Sequence, residues 1–196
     1  MRLFLAFLAI CAISFSSPAA ASAQDGPPAN EAPAFEPGFF SLGLSGLVGT
    51  RPDGRDDFAP TWTSGIDVGF RLLPFLSLGV RRITYAGART LGGDRFAIGG
   101  APALELALPL FPRVQPFVQV GAAVQARFGG GQGRTTGVAP FIGTGVRFFL
   151  TEWLSLAPEG VVHVPVTDGG FLLGHEVVPQ GAIVLQGGVA LAFHIQ

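Results

Sequence analysis

GIDVGFRLLPFLSLGV, residues 65–80, alternates apolar side chains with small or polar ones on both sides of a proline. A period of two residues is the pattern of an extended strand, whose successive side chains point to opposite faces. The apolar face holds Ile66, Val68, Phe70, Leu72, Leu76, Leu78 and Val80. Because the alternation breaks at Pro74 and Phe75, the stretch predicts a β-hairpin with a tight turn at those two residues.

The second face of this hairpin indicates what surrounds it. In a water-soluble barrel or sandwich that face meets solvent and carries charged residues. Here it carries Gly65, Gly69, Ser77 and Gly79 with a few charges, and the whole chain has no lysine. Small and charged side chains suit the narrow interior of a transmembrane barrel, whose apolar side chains face lipid. The pattern therefore predicts a membrane-spanning β-barrel.

The same alternation recurs along the chain and predicts eight strands in all. They lie at about residues 39–49, in the hairpin between about 62 and 85, and at about 95–108, 114–128, 138–150, 154–166 and 181–195. Pro102 cannot donate to a sheet ladder, so we expect an irregularity there.

The predicted connections alternate in length. Long polar loops follow strands one, three, five and seven, at residues 50–62, 87–94, 129–137 and 167–180, and short turns follow the others. Outer-membrane barrels pair long extracellular loops with short periplasmic turns. The chain is thus predicted to be an all-β, eight-stranded antiparallel up-and-down transmembrane β-barrel, with both ends in the periplasm.

The composition and the first residues place this barrel in a cell envelope. The 196 residues are 48% hydrophobic and 13% charged, which is typical of membrane proteins. Residues 1–23 read as a secretory signal peptide, with Arg2, an apolar run and the cleavage site Ala21-Ser22-Ala23. Residues 24–37 then form a flexible periplasmic lead and residues 38–196 an outer-membrane barrel. A net charge of −1 argues against a nucleic-acid partner.

Aromatic residues fall near both predicted ends of the strands, as in the aromatic girdles of membrane barrels. Near the periplasmic turns these are Phe75, Phe111 and Trp153, and near the loop ends they are Trp62, Tyr85, Phe96 and Phe128.

With its signal peptide, eight alternating strands and asymmetric loops, the chain resembles the small outer-membrane barrel proteins of the OmpA and OmpX type, from about residue 39 to residue 195. The resemblance implies a structural, adhesive or surface-interaction role, and a monomer. It also implies recognition of a C-terminal aromatic residue by the barrel-assembly machinery, and Phe193 lies three residues from the end. No peptidoglycan-binding domain follows the barrel.

The inward-facing strand positions collect charged and polar side chains. The predicted lumen network consists of Asp67, Arg71, Arg81, Glu105, Arg127, Arg147, Glu159 and His163, joined by Gln119, Gln125 and Gln186. An eight-stranded lumen is only wide enough to be filled by side chains, so such charges must pair or remain desolvated at high cost. We therefore expect a salt-bridged plug, with a narrow channel as the alternative.

The remaining chemistry gives no catalytic, metal or cofactor prediction. A lipid-modifying enzyme would need a serine beside a histidine at the outer lipid interface. His163 points inward, His194 lies near the periplasmic end, and His175 has no serine near it in its loop. The acidic loop residues match no metal-binding signature: Asp53, Asp56 and Asp57 in the first loop, and Asp168, His175 and Glu176 in the fourth.

Two partners and one alternative fold remain. The barrel exterior should contact outer-membrane lipid, and four loop arginines could pair with lipopolysaccharide phosphates: Arg51, Arg55, Arg89 and Arg134. A soluble periplasmic lipocalin-like barrel is the alternative, because alternation by itself does not say which face is wet.

Overall fold

The computed structural model describes residues 38–50, 61–90, 93–108, 110–111, 113–129, 135–168, 170–173 and 176–195; the side chains of residues 85–90, 93–95, 129 and 176 are not part of that description. The predicted signal peptide, residues 1–23, and lead, residues 24–37, lie outside the described residues. Among the described residues, no helix has the length and hydropathy needed to cross a membrane.

The described chain forms ten β-strands. They are β1 (Phe40–Thr50), β2 (Thr61–Leu73), β3 (Leu76–Thr90), β4 (Gly93–Ala107), β5 (Val114–Gly129), β6 (Thr135–Phe149), β7 (Leu154–His163), β8 (Phe171–Leu173), β9 (Glu176–Val178) and β10 (Val184–Ile195).

Eight of these strands close into an antiparallel barrel in the order β1-β10-β7-β6-β5-β4-β3-β2, and β8 pairs with β9 in a separate two-stranded sheet. Phe40 pairs with Ile195 where β1 meets β10, which closes the barrel. The predicted all-β, eight-stranded up-and-down barrel is confirmed. Below, the terminal end is the end of the barrel at Phe40 and Ile195, and the loop end is the end at Thr50 and Thr61.

The outer surface of the barrel is apolar and its inner surface is mixed. Leu44 and Val48 on β1 are 63% and 68% exposed on the outside. Ser45 and Leu47, between them, are 6% and 1% exposed inside. The same alternation of exposed and buried residues runs along β6 and β7. A soluble barrel has its apolar face inside, so the lipocalin-like alternative does not fit this arrangement.

Two predicted loops are wrong in their bounds. Residues 87–94 were expected to form a polar loop, but β3 continues to Thr90 and β4 begins at Gly93, with Arg89 opposite Asp94 in the ladder. The fourth loop, predicted at residues 167–180, contains the hairpin β8–β9. Glycine-rich polar sequence thus adopts strand structure where neighbouring strands complete its hydrogen bonds.

Two of the irregularities in the ladders lie on β3 and β4. The pairing of β4 with β5 runs from Gly100 to Ala103 without Ala101 and Pro102, so the irregularity expected at Pro102 is confirmed. On β3 the register shifts by one residue against β2 and also against β4. This second irregularity is a β-bulge, in which one strand carries an extra residue, and it positions the candidate site.

Candidate functional site: the barrel lumen

The β3 bulge brings two consecutive arginines, Arg81 and Arg82, into the lumen. Arg82 has φ +51°, the left-handed conformation that non-glycine residues rarely adopt. Its backbone N–H donates to Asp67 Oδ1 at 2.6 Å, and Ser45 Oγ donates to the same oxygen at 3.0 Å. Arg81 Nη1 donates to the other carboxylate oxygen of Asp67 at 3.4 Å. Asp67 therefore holds the bulge through the backbone N–H of Arg82 and through the side chain of Arg81.

Toward the terminal end lies a first group of charges, which we call the Glu105 cluster: Glu105, Arg81, Arg147 and Phe117. Arg147 Nη2 donates to Glu105 Oε1 at 2.7 Å and to Oε2 at 2.9 Å, and Arg81 Nη2 also pairs with Oε2. The guanidinium of Arg147 lies 5.2 Å from the centre of the Phe117 ring. One carboxylate thus shares its charge between two arginines, and hydrogen bonds to both oxygens offset the cost of burying it.

In the middle of the barrel lies a second group, the Glu159 cluster: Glu159, Arg82, Gln119 and Phe141. Arg82 Nη2 donates to Glu159 Oε1 at 3.1 Å, and Gln119 Nε2 donates to Glu159 Oε2 at 2.9 Å. The guanidinium of Arg82 lies 5.7 Å from the centre of the Phe141 ring. The arrangement repeats that of the Glu105 cluster, with an arginine on an aromatic ring and a carboxylate beside it.

Glycines on the neighbouring strands make room for both rings. A Cβ built on Gly145 would lie 2.6 Å from Phe117 Cζ, and one built on Gly121 would lie 2.8 Å from Phe141 Cζ. Atoms cannot approach so closely, so glycine is required at these two lumen positions if the rings are to stay in place.

Sequence reasoning missed Arg82. Strict alternation after Arg81 would aim Arg82 at lipid, where an arginine costs about 2–4 kcal/mol at the bilayer midplane. Strict alternation would also place the next outward residue after Val80 at position 82. The next outward apolar residue is instead Ile83, three positions on. An arginine pair and a three-residue apolar spacing together could have predicted the bulge.

The other predicted lumen residues lie inside the barrel but outside the two clusters. Arg127 is 8% exposed and His163 is 2% exposed. The His163 ring lies 5.6 Å from that of Phe141. Arg71 lines a cavity of about 40 Å³ at the terminal end. Gln186 donates to Thr61 Oγ1 at 3.3 Å.

The hairpin β8–β9 folds into the loop end of the lumen, a placement that sequence reasoning missed. Phe171, Leu172 and Leu173 are 5%, 3% and 1% exposed, although they lie in a connection between barrel strands. Gln125 on β5 accepts from the backbone N–H of Leu172 and donates to its carbonyl oxygen, both at 3.1 Å. Val178 of β9 is fully buried. We call this hairpin the lumen hairpin.

Most of the predicted loop sites fall on residues that the structure does not describe. Asp53, Asp56, Asp57, Arg51, Arg55, Arg134 and His175 lie outside the described residues, as do the side chains of Arg89 and Glu176. Asp168 is exposed. Within the described part of the chain, no group of three or more acidic, histidine or cysteine side chains is placed to hold a metal ion.

A serine and a histidine do meet, but inside the barrel near its terminal end. Ser155 Oγ lies 2.8 Å from His194 Nε2, and the two residues are 1% and 7% exposed. The ring of Phe149 lies 5.0 Å from that of His194. Lipid on the outer surface cannot reach this pair, so the pair supplies no nucleophile accessible to that lipid. The hydrogen bond satisfies the buried hydroxyl of Ser155.

The predicted girdle residues lie at the two ends of the outer surface. Toward the terminal end, Phe75, Phe111 and Trp153 are 46%, 58% and 54% exposed, and Trp153 stacks on Phe193. Toward the loop end, Trp62 and Phe96 are 43% and 41% exposed, and Phe96 stacks on Phe128 at 5.3 Å. Tyr85 is in β3, with its side chain outside the described part.

A closed eight-stranded antiparallel barrel with an apolar exterior and charged side chains in its interior defines the class of small transmembrane β-barrels. Among solved structures, the chain is similar to Neisserial surface protein A (NspA), with 12% sequence identity and a TM-score of 0.54 over 80% of this chain and 97% of that one. At this identity the likeness shows the fold.

Two further solved structures resemble the chain more weakly. The N-terminal β-barrel domain of Pseudomonas aeruginosa OprF has 15% identity and a TM-score of 0.49, over 79% of this chain and 97% of that one. The attachment invasion locus protein Ail of Yersinia pestis has 10% identity and a TM-score of 0.49, over 80% and 97%. No protein-family model and no curated protein matches the sequence.

Proposed function

We propose that this protein spans the outer membrane as a closed β-barrel with a structural or surface-interaction role. The observation that carries the proposal is the apolar outer surface. Leu44, Ile98, Val120 and Ile142 lie on four different strands and are each more than half exposed. Contiguous apolar patches of that extent are not found on soluble monomers, whereas lipid accommodates them.

The orientation follows from the connections. The two longest connections between barrel strands, residues 51–60 and 164–183, lie at the loop end. The connection at residues 91–92, also at the loop end, is as short as the turn at Pro74 and Phe75 at the terminal end. In outer-membrane barrels the longer connections face outward, so the terminal end faces the periplasm. The predicted signal peptide, residues 1–23, delivers the chain there, and the barrel-assembly machinery inserts it as a monomer.

Fractionation of the native host, followed by electrophoresis of unboiled and boiled samples, tests the membrane assignment. We expect recovery in the outer membrane and a faster-migrating unboiled band, as folded barrels give. Recovery in the soluble periplasm would contradict the proposal.

Antibody labelling of intact cells tests the orientation. An epitope inserted within residues 51–60 should be labelled, and a matched insertion between Pro74 and Phe75 should be labelled only after permeabilisation. The reverse labelling would show that the barrel has the opposite orientation in the membrane.

The external loops are the proposed interaction surface. Arg51, Arg55 and Arg134 in these loops, with Arg89 near the loop end of β3, supply the charge-assisted hydrogen bonds that lipopolysaccharide phosphates accept. Flotation with vesicles that contain lipopolysaccharide should weaken when Arg51 and Arg55 are replaced by Gln. The same change at the turn residue Arg113, at the other end of the barrel, should have no effect.

We also propose that the lumen conducts no solute. Beside the two clusters and the lumen hairpin, the described residues line a cavity of about 40 Å³ in each half of the lumen, which is room for only a few waters. Purified protein in planar bilayers should therefore show no steady conductance. Reproducible single-channel steps would favour the narrow channel instead.

A further inference from the structure

The cavity in the loop-end half of the lumen has both polar and apolar lining residues. Its volume is about 40 Å³, and its polar lining residues are Arg82, His163, Thr84, Thr63, Ser64 and Gln125. Ala97, Ala101 and Ala123 line it from the barrel strands, and the lumen hairpin lines it from the loop end. A compact ligand with one polar group would fit such a space.

Arg82 has hydrogen-bonding capacity that neither of the networks uses. Its Nη2 binds Glu159 and its backbone N–H binds Asp67. Nε and Nη1 are buried and have no hydrogen-bond partner among the described residues. An unsatisfied buried donor is destabilising, and more so when the group is charged. Arg82 also keeps a strained backbone, with φ +51°, and such strain persists where the surrounding structure enforces it.

The guanidinium of Arg82 determines the chemistry of the ligand. A guanidinium has donors and no acceptor, so the ligand must present an acceptor atom to Nε or Nη1. Arg82 is the only formally charged residue among the described residues that line the cavity, and Glu159 already pairs with its Nη2. The charge of a polyvalent anion would therefore stay largely uncompensated, which makes its desolvation too costly. A monovalent anion loses less hydration and needs fewer donors.

We propose that the loop-end cavity is a binding site for a small monovalent anion, of the size of chloride or formate, held by Nε and Nη1 of Arg82 beneath the lumen hairpin. The site is independent of the role proposed for the loops. It assigns a ligand to the strained arginine that alternation did not predict.

Nuclear magnetic resonance of the full mature protein in detergent micelles tests the site directly. Arginine labelled with ¹⁵N gives one Nε–H resonance per side chain, and the loss of one resonance in Arg82→Gln assigns that of Arg82. Titration with sodium chloride or sodium formate, at constant ionic strength, should shift the Arg82 resonance saturably. The proposal would be overturned if the Arg82 resonance did not move, or moved linearly with the others. It would also be overturned if the Arg82 Nε–H showed exchange with water and no response to the anion.

Two variants separate the cavity from the charge. Ala123→Leu fills the cavity and leaves Arg82 in place, so the apparent affinity should fall about tenfold or more. Arg113→Gln removes an equal charge at the exposed turn and should leave the affinity unchanged. If Ala123→Leu gives no fast-migrating unboiled band, the smaller filling variant Ala97→Val replaces it. Unchanged binding in a folded filled variant would show that the anion binds elsewhere.

Discussion

The Glu105 cluster and the lumen hairpin occupy the two halves of the same lumen with different kinds of contact. Toward the terminal end, one carboxylate pairs with two arginines, all on strands that belong to the barrel wall. At the loop end, three consecutive apolar residues enter from a connection, and Gln125 hydrogen-bonds Leu172. Phe171 and Leu173 belong to the same buried apolar cluster as Leu47. The charged cluster is part of the barrel wall, whereas the hairpin is a separate small sheet. We therefore expect the first to fail only with the barrel and the second to fail locally.

The largest effect is expected from Glu105→Gln. The substitution leaves Arg147 with a neutral partner and Arg81 with Asp67 as its remaining carboxylate, and breaking a buried ion pair by removing one partner costs about 3–5 kcal/mol. We expect the urea midpoint of the whole barrel to fall, measured by loss of the fast-migrating unboiled band. Glu152→Gln removes the same charge from an exposed residue at the terminal end and is the matched control. Equal midpoints for the two variants would mean that the cluster contributes little.

A smaller and local effect is expected from Leu173→Ala. Leu173 is 1% exposed, and truncating a buried leucine costs about 2–5 kcal/mol. We expect the lumen hairpin to detach without opening the barrel, with faster hydrogen exchange at the Leu172 amide and unchanged exchange in β5 and β6. Ile183→Ala shortens an exposed side chain near the end of the same connection and should alter neither. Faster exchange throughout the barrel would show that the hairpin is not separable.

Gln125→Ala should loosen the hairpin less. It removes two hydrogen bonds to Leu172, each worth about 0.5–1.5 kcal/mol. The expected result is faster exchange at the Leu172 amide with an unchanged urea midpoint. Val124→Ala, on the outer face of the same strand, controls for any effect of truncation on β5. If the Leu172 amide stays as protected as in the wild type, the apolar contacts alone keep the lumen hairpin in place.

The smallest effect is expected at the bulge. Ser45→Ala removes one donor from Asp67, which keeps the Arg82 N–H and Arg81, so the cost should be about 1 kcal/mol. A small fall in the urea midpoint should appear, without any change at the Leu172 amide. Ser64→Ala, an exposed serine on β2, is the control. A fall as large as that of Glu105→Gln would make Asp67, and not Glu105, the centre of the lumen network.

These two regions also differ in how far the sequence predicts them. Strict alternation puts Glu105, Arg147 and Glu159 inside because β4, β6 and β7 keep one phase through those positions. Alternation fails at Arg82, because an extra residue on β3 changes the phase. It also fails at residues 171–173, since a short apolar run with glycines on both sides carries no period and its burial depends on a lumen that other strands build. Residues 87–94 were misjudged because glycine and arginine suggest a loop, although pairing with the adjacent strand extends the hairpin.

The pairing of Phe40 with Ile195 means that this barrel has no intrinsic first strand. Joining residues 40 and 195 with a short linker, and opening the chain at Pro74 and Phe75, would give a circular permutant that keeps the pairing between each pair of neighbouring strands. In the natural order, β1 and β10 are the most distant partners along the chain, and their pairing bears the largest loop-closure entropy. In the permutant they become neighbours in a hairpin, and β2 with β3 becomes the distant pair. Folding rates fall as contacts become more distant in sequence. Comparing the two refolding rates would therefore show which pair of neighbouring strands closes the barrel last.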